Sequence, residues 1–401
     1  MHKENLDQEI KECNKNVEKH FDVIVLGVGS MGSSACYHLA KNGAKVLGLE
    51  QFDIPHELGS HTGQSRIIRK AYFEHPDYVP LLEQAYHNWH DLENLTGEQV
   101  YYKTGLIYFG KPDNVLMKGI NRSADKYNIQ VDAIDKPDMK SKYPQFNIPD
   151  DFEKLFEPDA GFVAPDKAIM LYALEAIKNG AVIKTKIKVL GWHKINDGVE
   201  VMTTNGNFYA KKIIITVGAW AGKIMPALAN KLFVSRQVMA WVIPKNESMF
   251  ELGAMPCWNI ADDEKGGLYY GFPILPKDKF DGPIGFKIAH HHQATLTDPD
   301  SIDRIGNVDD EENLKYALDM YFPEGYQSTL AMKTCMYTNS ADENFIIDFL
   351  NEENRNVIIA TGFSGHGFKF ASVIGEIVSD LALKEKTNLP IDFLNVKRFE
   401  Q

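Results

Sequence analysis

A glycine-rich turn between two apolar segments near the N-terminus constrains the fold of this chain more than any other feature. The apolar run Phe21–Leu26 predicts a parallel strand buried on both faces, and the turn Gly27–Gly32, with sequence GVGSMG, follows at once. A helix over residues 33–41 and a second strand over residues 44–50 complete a βαβ unit. This order predicts a Rossmann-like dinucleotide-binding domain of the α/β class.

Each glycine of the turn has a physical role in such a unit. Gly27 permits the tight turn, Gly29 lets the backbone approach a pyrophosphate, and Gly32 lets the helix pack on the strand. The N-terminus of the helix then binds the pyrophosphate through its free N–H groups. Glu50, at the end of the second strand, is placed to accept hydrogen bonds from the ribose hydroxyls.

The turn alone is compatible with either FAD or NAD, and the next segment favours FAD. A nicotinamide enzyme normally continues with another strand–helix repeat. Residues 59–69, GSHTGQSRIIR, are instead a polar, glycine-punctuated stretch that carries Arg66 and Arg69.

The rest of the chain predicts two interleaved domains. Apolar strands at residues 212–217 and 356–361 also run into glycine turns, and parallel strands place such turns at one cofactor crevice. Residues 100–110 and 232–291 are aromatic-rich and punctuated by Gly and Pro, which predicts an antiparallel sheet. The predicted division is a solvated N-terminal extension over 1–20, an FAD-binding domain over 21–98, 159–234 and 337–401, and a β-rich substrate domain over 99–158 and 235–336.

Composition excludes several other classes of function. A net charge of −12 disfavours nucleic acid and anionic membrane surfaces, because both select clustered Lys and Arg. The four cysteines show no C-x-x-C spacing, which disfavours a disulfide framework or zinc site and fits a reducing compartment. No apolar run approaches the roughly 20 residues of a membrane span, and the charged N-terminus is unlike a signal peptide. We therefore expect a cytoplasmic protein.

Five separate motifs, in order from residue 21 to about residue 380, resemble those of one enzyme family. They are FDVIVLGVGSMG, GSHTGQSRIIR, YYGFP with the following GFKIAHH, CMYTNSADENFIID and GFSGHGFKFAS. The chain is similar to the monomeric sarcosine oxidase and N-methyltryptophan oxidase family of D-amino acid oxidase-like flavoproteins. The resemblance implies a monomeric oxidase of a secondary amino acid, which forms an imine that hydrolyses to aldehyde and amine, while O₂ becomes H₂O₂.

The resemblance also implies the cofactor attachment and the substrate clamp. Relatives carry FAD on a cysteine thioether, and Cys335 occupies that motif, although a lone cysteine is more often a small buried hydrophobe. Arg69 and Lys369 match the pair that holds the substrate carboxylate in relatives. An arginine fork orients a carboxylate through two hydrogen bonds, and a lysine adds a point charge.

Further residues match positions around the flavin and the substrate in relatives. Lys287, whose burial in an apolar run is costly unless it has a role, matches a lysine that promotes reaction with O₂. His291 matches an active-site histidine, to which we assign positioning, and Arg66 lies close to the flavin in the family. Tyr270 and Tyr337 match tyrosines that line the substrate cavity.

The complete set of expected site residues follows from these matches. The expected catalytic residues are Lys287, His291, Arg66 and Tyr337, and the expected substrate-binding residues are Arg69, Lys369, Tyr270, Tyr72 and Trp258. The expected FAD-binding residues are Gly27, Gly29, Ser30, Met31, Gly32, Glu50, Gln51, Ser60, His61, Ser65, Arg66, Val189, Gly218, Trp220, Cys335, Gly362, Ser364, Gly365, His366, Gly367 and Lys369. We expect no metal at the triple histidine 290–292, because no carboxylate or cysteine nearby completes a ligand set.

Departures from the family pattern leave the substrate open. Relatives have two adjacent histidines where this chain has His61-Thr62, and a glycine-bearing gating loop where it has Lys70 and Phe73. Sarcosine, N-methyltryptophan, pipecolate and a glycated amino acid all remain candidate substrates. A flavin dehydrogenase with an acceptor other than O₂, a nicotinamide dehydrogenase and a non-catalytic flavin protein are the competing functions.

Overall fold

The computed structural model describes residues 2–15, 18–291, 295–351, 353 and 355–399. Its α-helices are α1 His2–Cys13, α2 Ser30–Lys41, α3 Val79–Thr96, α4 Val115–Tyr127, α5 Lys136–Lys142, α6 Pro165–Lys178, α7 Ala221–Ile224, α8 Val308–Tyr321 and α9 Ala371–Lys384. Its first strands are β1 His20–Leu26, β2 Val46–Leu49, β3 Arg66–Ile68, β4 Tyr101–Tyr102, β5 Leu106–Gly110, β6 Asp132–Ala133, β7 Glu153–Glu157, β8 Gly161–Val163 and β9 Val182–Lys184. The remaining strands are β10 Val189–Ile195, β11 Gly198–Thr203, β12 Gly206–Ile215, β13 Leu232–Ile243, β14 Cys257–Ala261, β15 Leu268–Phe272, β16 Phe286–His291, β17 Ser328–Ser340, β18 Ile346–Phe349 and β19 Val357–Thr361. Within the described residues, no helix has both the length and the apolar character required to cross a bilayer.

The predicted βαβ unit forms the centre of the first sheet. Strand β1 lies between β2 and β12, parallel to both, and β9 and β19 extend the parallel set at its two ends. Most side chains of β1 are buried, on both faces of the sheet, as a continuous apolar run predicts. Helix α2 begins at Ser30, three residues before the predicted start, and ends with Asn42 as its C-cap.

Helices cover one face of this sheet, and the N-terminal segment is one of them. Helix α2 packs against α6 and α9. A Cβ atom at Gly375 would lie 2.1 Å from the Ser34 hydroxyl, so the two helices approach at van der Waals distance. The expectation of a solvated extension is wrong for α1, because Leu6 and Ile10 are buried in the same core. Their i, i+4 spacing places both on one face of the helix.

The second sheet is antiparallel except for the β14–β5 pair, in the order β17-β13-β16-β15-β14-β5-β7-β6. One face packs on α8 around a core that includes Trp258, Phe286 and Phe322. The opposite face is turned toward the carboxyl ends of the parallel strands. The strands of the two sheets alternate in blocks along the chain, as interleaved domains require, and the exact boundaries stay a prediction.

A third, three-stranded sheet, β3-β8-β4, connects the segment after the dinucleotide turn to the rest of the fold. Arg66 begins β3 opposite Val163 of β8. Arg66 is the first residue of β3, and Arg69 follows directly after the end of this strand. The two arginines therefore reach the cavity described below from different positions.

Candidate active site

The glycine-rich turn opens one end of a cavity between the two large sheets. Gly27 has a φ of +85°, a conformation that side chains rarely adopt. A Cβ atom at Gly32 would lie 1.8 Å from the Gly27 carbonyl oxygen, so only glycine allows α2 to start here. Gly29 is the N-cap of α2 and has no side-chain cap, which leaves the helix N-terminus to a ligand.

The Glu50 carboxylate lies beside this turn. Its Oε2 accepts a hydrogen bond from the Val28 amide and its Oε1 accepts one from the Phe52 amide, both at 3.0 Å. Burial raises the pKa of the Glu50 carboxyl, although these amide donors oppose the shift. Each oxygen keeps lone pairs for further donors. A pair of ribose hydroxyls is a chemically fitting partner, because Glu50 lines the cavity.

The cavity has a volume of about 380 Å³, within the range of small-molecule and cofactor sites. It runs from the turn to the carboxyl ends of the parallel strands and over one face of the second sheet. The expected site residues that line it are Gly27, Gly29, Ser30, Met31, Glu50, Gln51, Ser60, His61, Arg66, Arg69, Val189, Gly218, Trp220, Tyr270, His291, Cys335, Tyr337, Gly365, His366, Gly367 and Lys369.

Other expected residues shape this cavity from behind. Gly32 supports the turn, and the hydroxyl of Ser364 accepts a hydrogen bond from the Ser340 amide and donates one to the Gly362 carbonyl. Ser364 and Gly362 both have positive φ, so they set the path of the loop that carries Gly365 and His366. They are not among the residues that line the cavity.

Three buried polar atoms on residues of the cavity wall have no hydrogen-bond partner in the protein. They are Nε2 of His61, Oγ1 of Thr338 and Oδ1 of Asn259. Burial lowers the pKa of His61 to about 3, so its ring is neutral near pH 7. Buried polar groups are nearly always satisfied, and a cofactor rich in hydrogen-bonding atoms would satisfy those of His61 and Thr338.

Cys335 is the one cysteine of the described residues that lines the cavity. It lies on β17 opposite Gln237 of β13, and its exposed fraction is 3%. Burial raises the pKa of its thiol, while the charges of Arg66 and Lys287 act in the opposite direction. Cys36 and Cys257 are fully buried elsewhere.

Arg69 faces the cavity together with an acidic residue that sequence reasoning did not select. Its Nη2 donates to both carboxylate oxygens of Glu74 at 2.8 Å, and its Nη1 donates to the Ala71 carbonyl oxygen at 3.0 Å. Burial alone would raise the pKa of Glu74, but the charges of Arg69, His366 and Lys369 outweigh burial and lower it to about 2. Glu74 is therefore an anion that already occupies the predicted carboxylate clamp.

Lys369 completes this group of charges. Its Nζ donates to the His366 carbonyl oxygen at 2.7 Å, and its exposed fraction is 6%. Burial and the neighbouring Arg69 charge lower the pKa of Lys369 to about 7, while Glu74 opposes that shift. Lys369 thus changes its charge near neutral pH.

Tyr72 supports the clamp from behind and does not line the cavity, contrary to its expected role in contacting substrate. The Arg69 guanidinium carbon lies 4.4 Å from the centroid of the Tyr72 ring and 4.4 Å from that of Phe73. The Tyr72 hydroxyl is hydrogen-bonded to Nδ1 of His366. The two rings fix the guanidinium in place, and Phe73 also lines the cavity.

Lys287 is buried next to the cavity without being among its lining residues. Its Nζ donates to the Ser65 carbonyl oxygen at 2.8 Å and to the Ser65 hydroxyl at 3.2 Å, and it lies 4.5 Å from the Phe272 ring centroid. Burial, assisted by the charge of Arg66, lowers its pKa well below the ordinary value for lysine. Ser65, an expected FAD-binding residue, accepts these hydrogen bonds and is not among the residues that line the cavity.

Tyr270, His291 and Tyr337 lie on the face of the second sheet that lines the cavity. The Tyr337 hydroxyl lies 3.2 Å from Nδ1 of His291. Burial raises the pKa of both Tyr270 and Tyr337, so their hydroxyls stay protonated near neutral pH. Arg66 donates hydrogen bonds to the carbonyl oxygens of Ser65, Ser60 and Thr62, which aims the guanidinium at the same region.

Trp258 is a correction to the expected substrate site. Its ring lies in the core against Phe286 and Phe322, on the opposite face of β14 from the cavity. Successive strand residues point to opposite faces, so the next residue, Asn259, lines the cavity instead. The register of β14 against β15, where Asn259 pairs with Tyr270, is the signal that identifies it.

Of the histidine triplet, His290 points away from the cavity. Its ring stacks on Tyr269 with centroids 4.0 Å apart, and its Nε2 is hydrogen-bonded to the Gly266 carbonyl oxygen. His292 lies outside the described residues. Among the residues that the structure describes, no group of His, Cys, Asp and Glu is arranged to hold a metal ion.

Comparison with known proteins identifies the family to which the chain belongs. The family described as FAD dependent oxidoreductase, DAO, matches residues 22–381. A monomeric sarcosine oxidase from Bacillus sp. (strain B-0618) is 37% identical over 94% of this chain and 96% of its own. An N-methyl-L-tryptophan oxidase from Yersinia pestis (strain Pestoides F) is 30% identical over 94% of this chain and 99% of its own. The open form of NikD, an unusual amino acid oxidase essential for nikkomycin biosynthesis, superposes with a TM-score of 0.82 at 21% identity, over 94% of this chain and 98% of its own.

The chain therefore belongs to the DAO family of FAD-dependent oxidoreductases. The predicted fold class is confirmed, as is the prediction of an FAD-dependent oxidoreductase. The uncapped start of α2, the Glu50 carboxylate and the unpartnered atoms of His61 and Thr338 are chemically suited to hold FAD along the cavity.

Proposed function

We propose that this chain oxidises a secondary amino acid at the carbon next to nitrogen, with FAD as acceptor and O₂ as the final oxidant. The observation that carries the proposal is a pair of cationic groups, Arg69 and Lys369, that face one end of the FAD cavity. A carboxylate is the ligand such a pair selects, through two hydrogen bonds from arginine and a point charge from lysine. The sarcosine oxidase relatives support an amine as the group to be oxidised.

The protein side chains bind and orient the substrate in this proposal. When bound, FAD would supply the redox chemistry, as the acceptor of a hydride equivalent from the substrate carbon and the donor of the electrons that convert O₂ to H₂O₂. Arg69 and Lys369 anchor the carboxylate, so the amine end points toward His291 and Tyr337. The positive charge around the site favours the unprotonated amine that reacts, since nearby cations lower the pKa of an ammonium group. The imine then hydrolyses in water to an aldehyde and an amine.

Glu74 makes binding a competition between two carboxylates. Both Glu74 oxygens accept hydrogen bonds from Nη2 of Arg69, the side chain to which a substrate carboxylate would bind. The substrate therefore binds when its own carboxylate replaces that of Glu74, and the Glu74 side chain moves aside. Phe73, stacked on the same guanidinium, belongs to the segment that must shift.

We further propose that FAD is attached through the Cys335 thioether. Cys335 is the cysteine of the described residues that lines the cavity, and the charges of Arg66 and Lys287 partly offset the rise in its thiol pKa that burial causes. Cys335 would hold the flavin through a carbon–sulfur bond, for which the flavin itself would be the two-electron oxidant. Acid precipitation tests the attachment, because the yellow colour must stay with the protein pellet.

An oxidase is favoured over a dehydrogenase by the position of Lys287. Its amine is buried beside the cavity, between the Ser65 carbonyl and two aromatic rings, and carries a positive charge when it is protonated. A positive charge at that place stabilises negative charge that develops as O₂ is reduced.

A monomer in the cytoplasm is part of the proposal, since the curated relatives include enzymes named monomeric and the four cysteines are free in the structure.

The experiment is an oxygen-consumption assay over pairs of amines that differ in one feature. N-methylglycine is compared with dimethylamine, which lacks the carboxylate, and with glycine, which lacks the N-substituent. Turnover that requires both the carboxylate and the secondary amine supports the proposal. Turnover of dimethylamine at the same kcat/KM would contradict the role of the Arg69–Lys369 pair.

A further inference from the structure

Another buried carboxylate lies next to the carboxylate clamp and has no role in the reaction described above. Glu157 is the last residue of β7, and it is fully buried. It is not among the residues that line the cavity. Burying a carboxylate is costly unless hydrogen bonds compensate for the water that it loses. The hydrogen-bond partners of Glu157 therefore indicate what it does.

Those partners are two backbone amides and one hydroxyl group. Oε1 of Glu157 accepts a hydrogen bond from the Lys70 amide at 2.5 Å, and Oε2 accepts one from the Ala71 amide at 3.3 Å. The Tyr108 hydroxyl, on β5, donates to Oε2 at 2.6 Å. Burial raises the pKa of Glu157, while these donors and the charge of Arg69 oppose the shift. The surroundings thus offer donors to both carboxylate oxygens.

The two amides belong to the segment that carries Arg69. Ala71 connects the two charged side chains, because its N–H group donates to Glu157 and its carbonyl oxygen accepts from Nη1 of Arg69 at 3.0 Å. Glu74 accepts from the other terminal nitrogen, Nη2, and is the partner that a substrate carboxylate displaces. Glu157 therefore holds the part of the clamp that stays in place when Glu74 moves aside.

We infer that Glu157 is a positioning residue, which fixes Arg69 for the substrate carboxylate by holding the backbone of residues 70–71, an inference that rests on the proposed function. Nη1 of Arg69 keeps its hydrogen bond to the Ala71 carbonyl oxygen with and without substrate. The nitrogen Nη2 that Glu74 releases is then available to the substrate at an unchanged position. Such preorganisation matters because a small displacement of an orienting group weakens binding and catalysis steeply.

Glu157→Asp tests this role, because it keeps the charge and shortens the side chain by one methylene group. An aspartate cannot reach both amides unless the backbone of residues 70–71 moves, and the guanidinium moves with it. The ligand is methoxyacetate, which has an ether oxygen in place of the amine of N-methylglycine and therefore binds without reacting. Its Kd for the holoenzyme, measured by flavin absorbance, should rise about tenfold in the variant.

A neutral ligand of the same shape separates positioning of Arg69 from a general loosening of the cavity. The Kd for 2-methoxyacetamide should change by less than about twofold in Glu157→Asp, because this ligand has no carboxylate for the guanidinium. An equal rise in Kd for the two ligands would overturn the inference. A Kd for methoxyacetate within about twofold of the wild-type value would overturn it as well.

Hydrogen exchange followed by mass spectrometry provides a measurement that needs no substrate. The peptide that contains residues 70 and 71 should exchange faster in Glu157→Asp than in wild type, because its amides lose their acceptor. Tyr108→Phe is a milder second variant, which keeps the Glu157 carboxylate and removes its hydroxyl donor. It should raise the Kd for methoxyacetate about threefold and also speed exchange. A rise in Kd without faster exchange, or wild-type values of both in Tyr108→Phe, would contradict the role of Glu157.

Glu93→Asp is the matched control. Oε1 of Glu93 also accepts hydrogen bonds from two consecutive backbone amides, those of Val100 at 2.8 Å and Tyr101 at 2.7 Å, and Glu93 is not among the cavity-lining residues. The control should speed exchange at residues 100–101 and leave both Kd values unchanged. A wild-type holoenzyme that does not bind methoxyacetate would contradict the proposed function, whereas binding that Glu157→Asp does not weaken would contradict only the role of Glu157.

Discussion

Replacing Glu74 with glutamine should make the carboxylate site bind ligands more tightly, although it removes an ion pair. Arg69 donates to both Glu74 oxygens at 2.8 Å, and a substrate carboxylate has to displace them. The pKa of Glu74 is lowered from 4.5 to about 2 by its surroundings. Since one pKa unit corresponds to about 1.4 kcal/mol, the ionised carboxylate is held by about 3 kcal/mol.

Only part of this energy is recovered in the variant. The neutral amide still bonds the guanidinium, and the displaced carboxylate of the wild type regains water, so we expect a gain of about 1.5 kcal/mol. That gain corresponds to an approximately tenfold lower Kd for methoxyacetate, the ether analogue of N-methylglycine. Flavin absorbance measures the Kd at about pH 5, well below the pKa of Lys369 at about 7, because the loss of the Glu74 charge lowers that pKa further in the variant.

The control for this prediction is an arginine–carboxylate ion pair outside the cavity. Nη1 and Nη2 of Arg236 each donate to one oxygen of Asp310 at 2.8 Å, and both side chains are partly buried. Asp310→Asn should leave the Kd for methoxyacetate unchanged. An unchanged or higher Kd in Glu74→Gln would refute the idea that Glu74 competes with the substrate and would make it a support for Arg69.

Three further predictions concern the charged and covalent parts of the site. Binding of methoxyacetate should weaken as the pH rises through about 7, because Lys369 loses its proton there, and Lys369→Met should remove this step in the pH profile of Kd. Cys335→Ser should release its flavin on acid precipitation, while Cys257→Ser, a buried cysteine outside the cavity, should not; colour retained by Cys335→Ser would contradict the attachment. Lys287→Met should slow reoxidation of the flavin by O₂ at least about tenfold, which corresponds to about 1.4 kcal/mol in the barrier. The same variant should slow anaerobic reduction of the flavin by substrate much less. Equal losses in the two half-reactions would argue against a role of Lys287 in the reaction with O₂.

The dinucleotide half of the site was predictable from the sequence because its signals are local. The strand, turn and helix of residues 21–41 are continuous in the chain, and each glycine answers a steric demand within a few residues, as Gly32 against Gly27 shows. The helix start differed by three residues because the last residues of the turn are already helical. The same local logic would have revealed that Leu6 and Ile10 form one buried face of α1.

The substrate half depends on partners that are distant in sequence. Strand β14 is buried on both faces, so no alternation of polar and apolar residues distinguished Trp258 from Asn259. Only its register with β15 decides which side chain faces the cavity. The partner of Lys287 is Ser65, 222 residues away, and no local pattern predicts that contact. Glu74 lies on an irregular segment, where neither helical nor strand periodicity indicates direction.

The balance of oxygen, peroxide and aldehyde tests the central claim most directly. Purified holoenzyme is mixed with N-methylglycine, and O₂ uptake, H₂O₂ and aldehyde are measured in the same sample. An FAD oxidase of secondary amino acids predicts equal molar amounts of the three. Flavin reduced by the amino acid without O₂ uptake would identify a dehydrogenase, and a flavin that no secondary amino acid reduces would contradict the account.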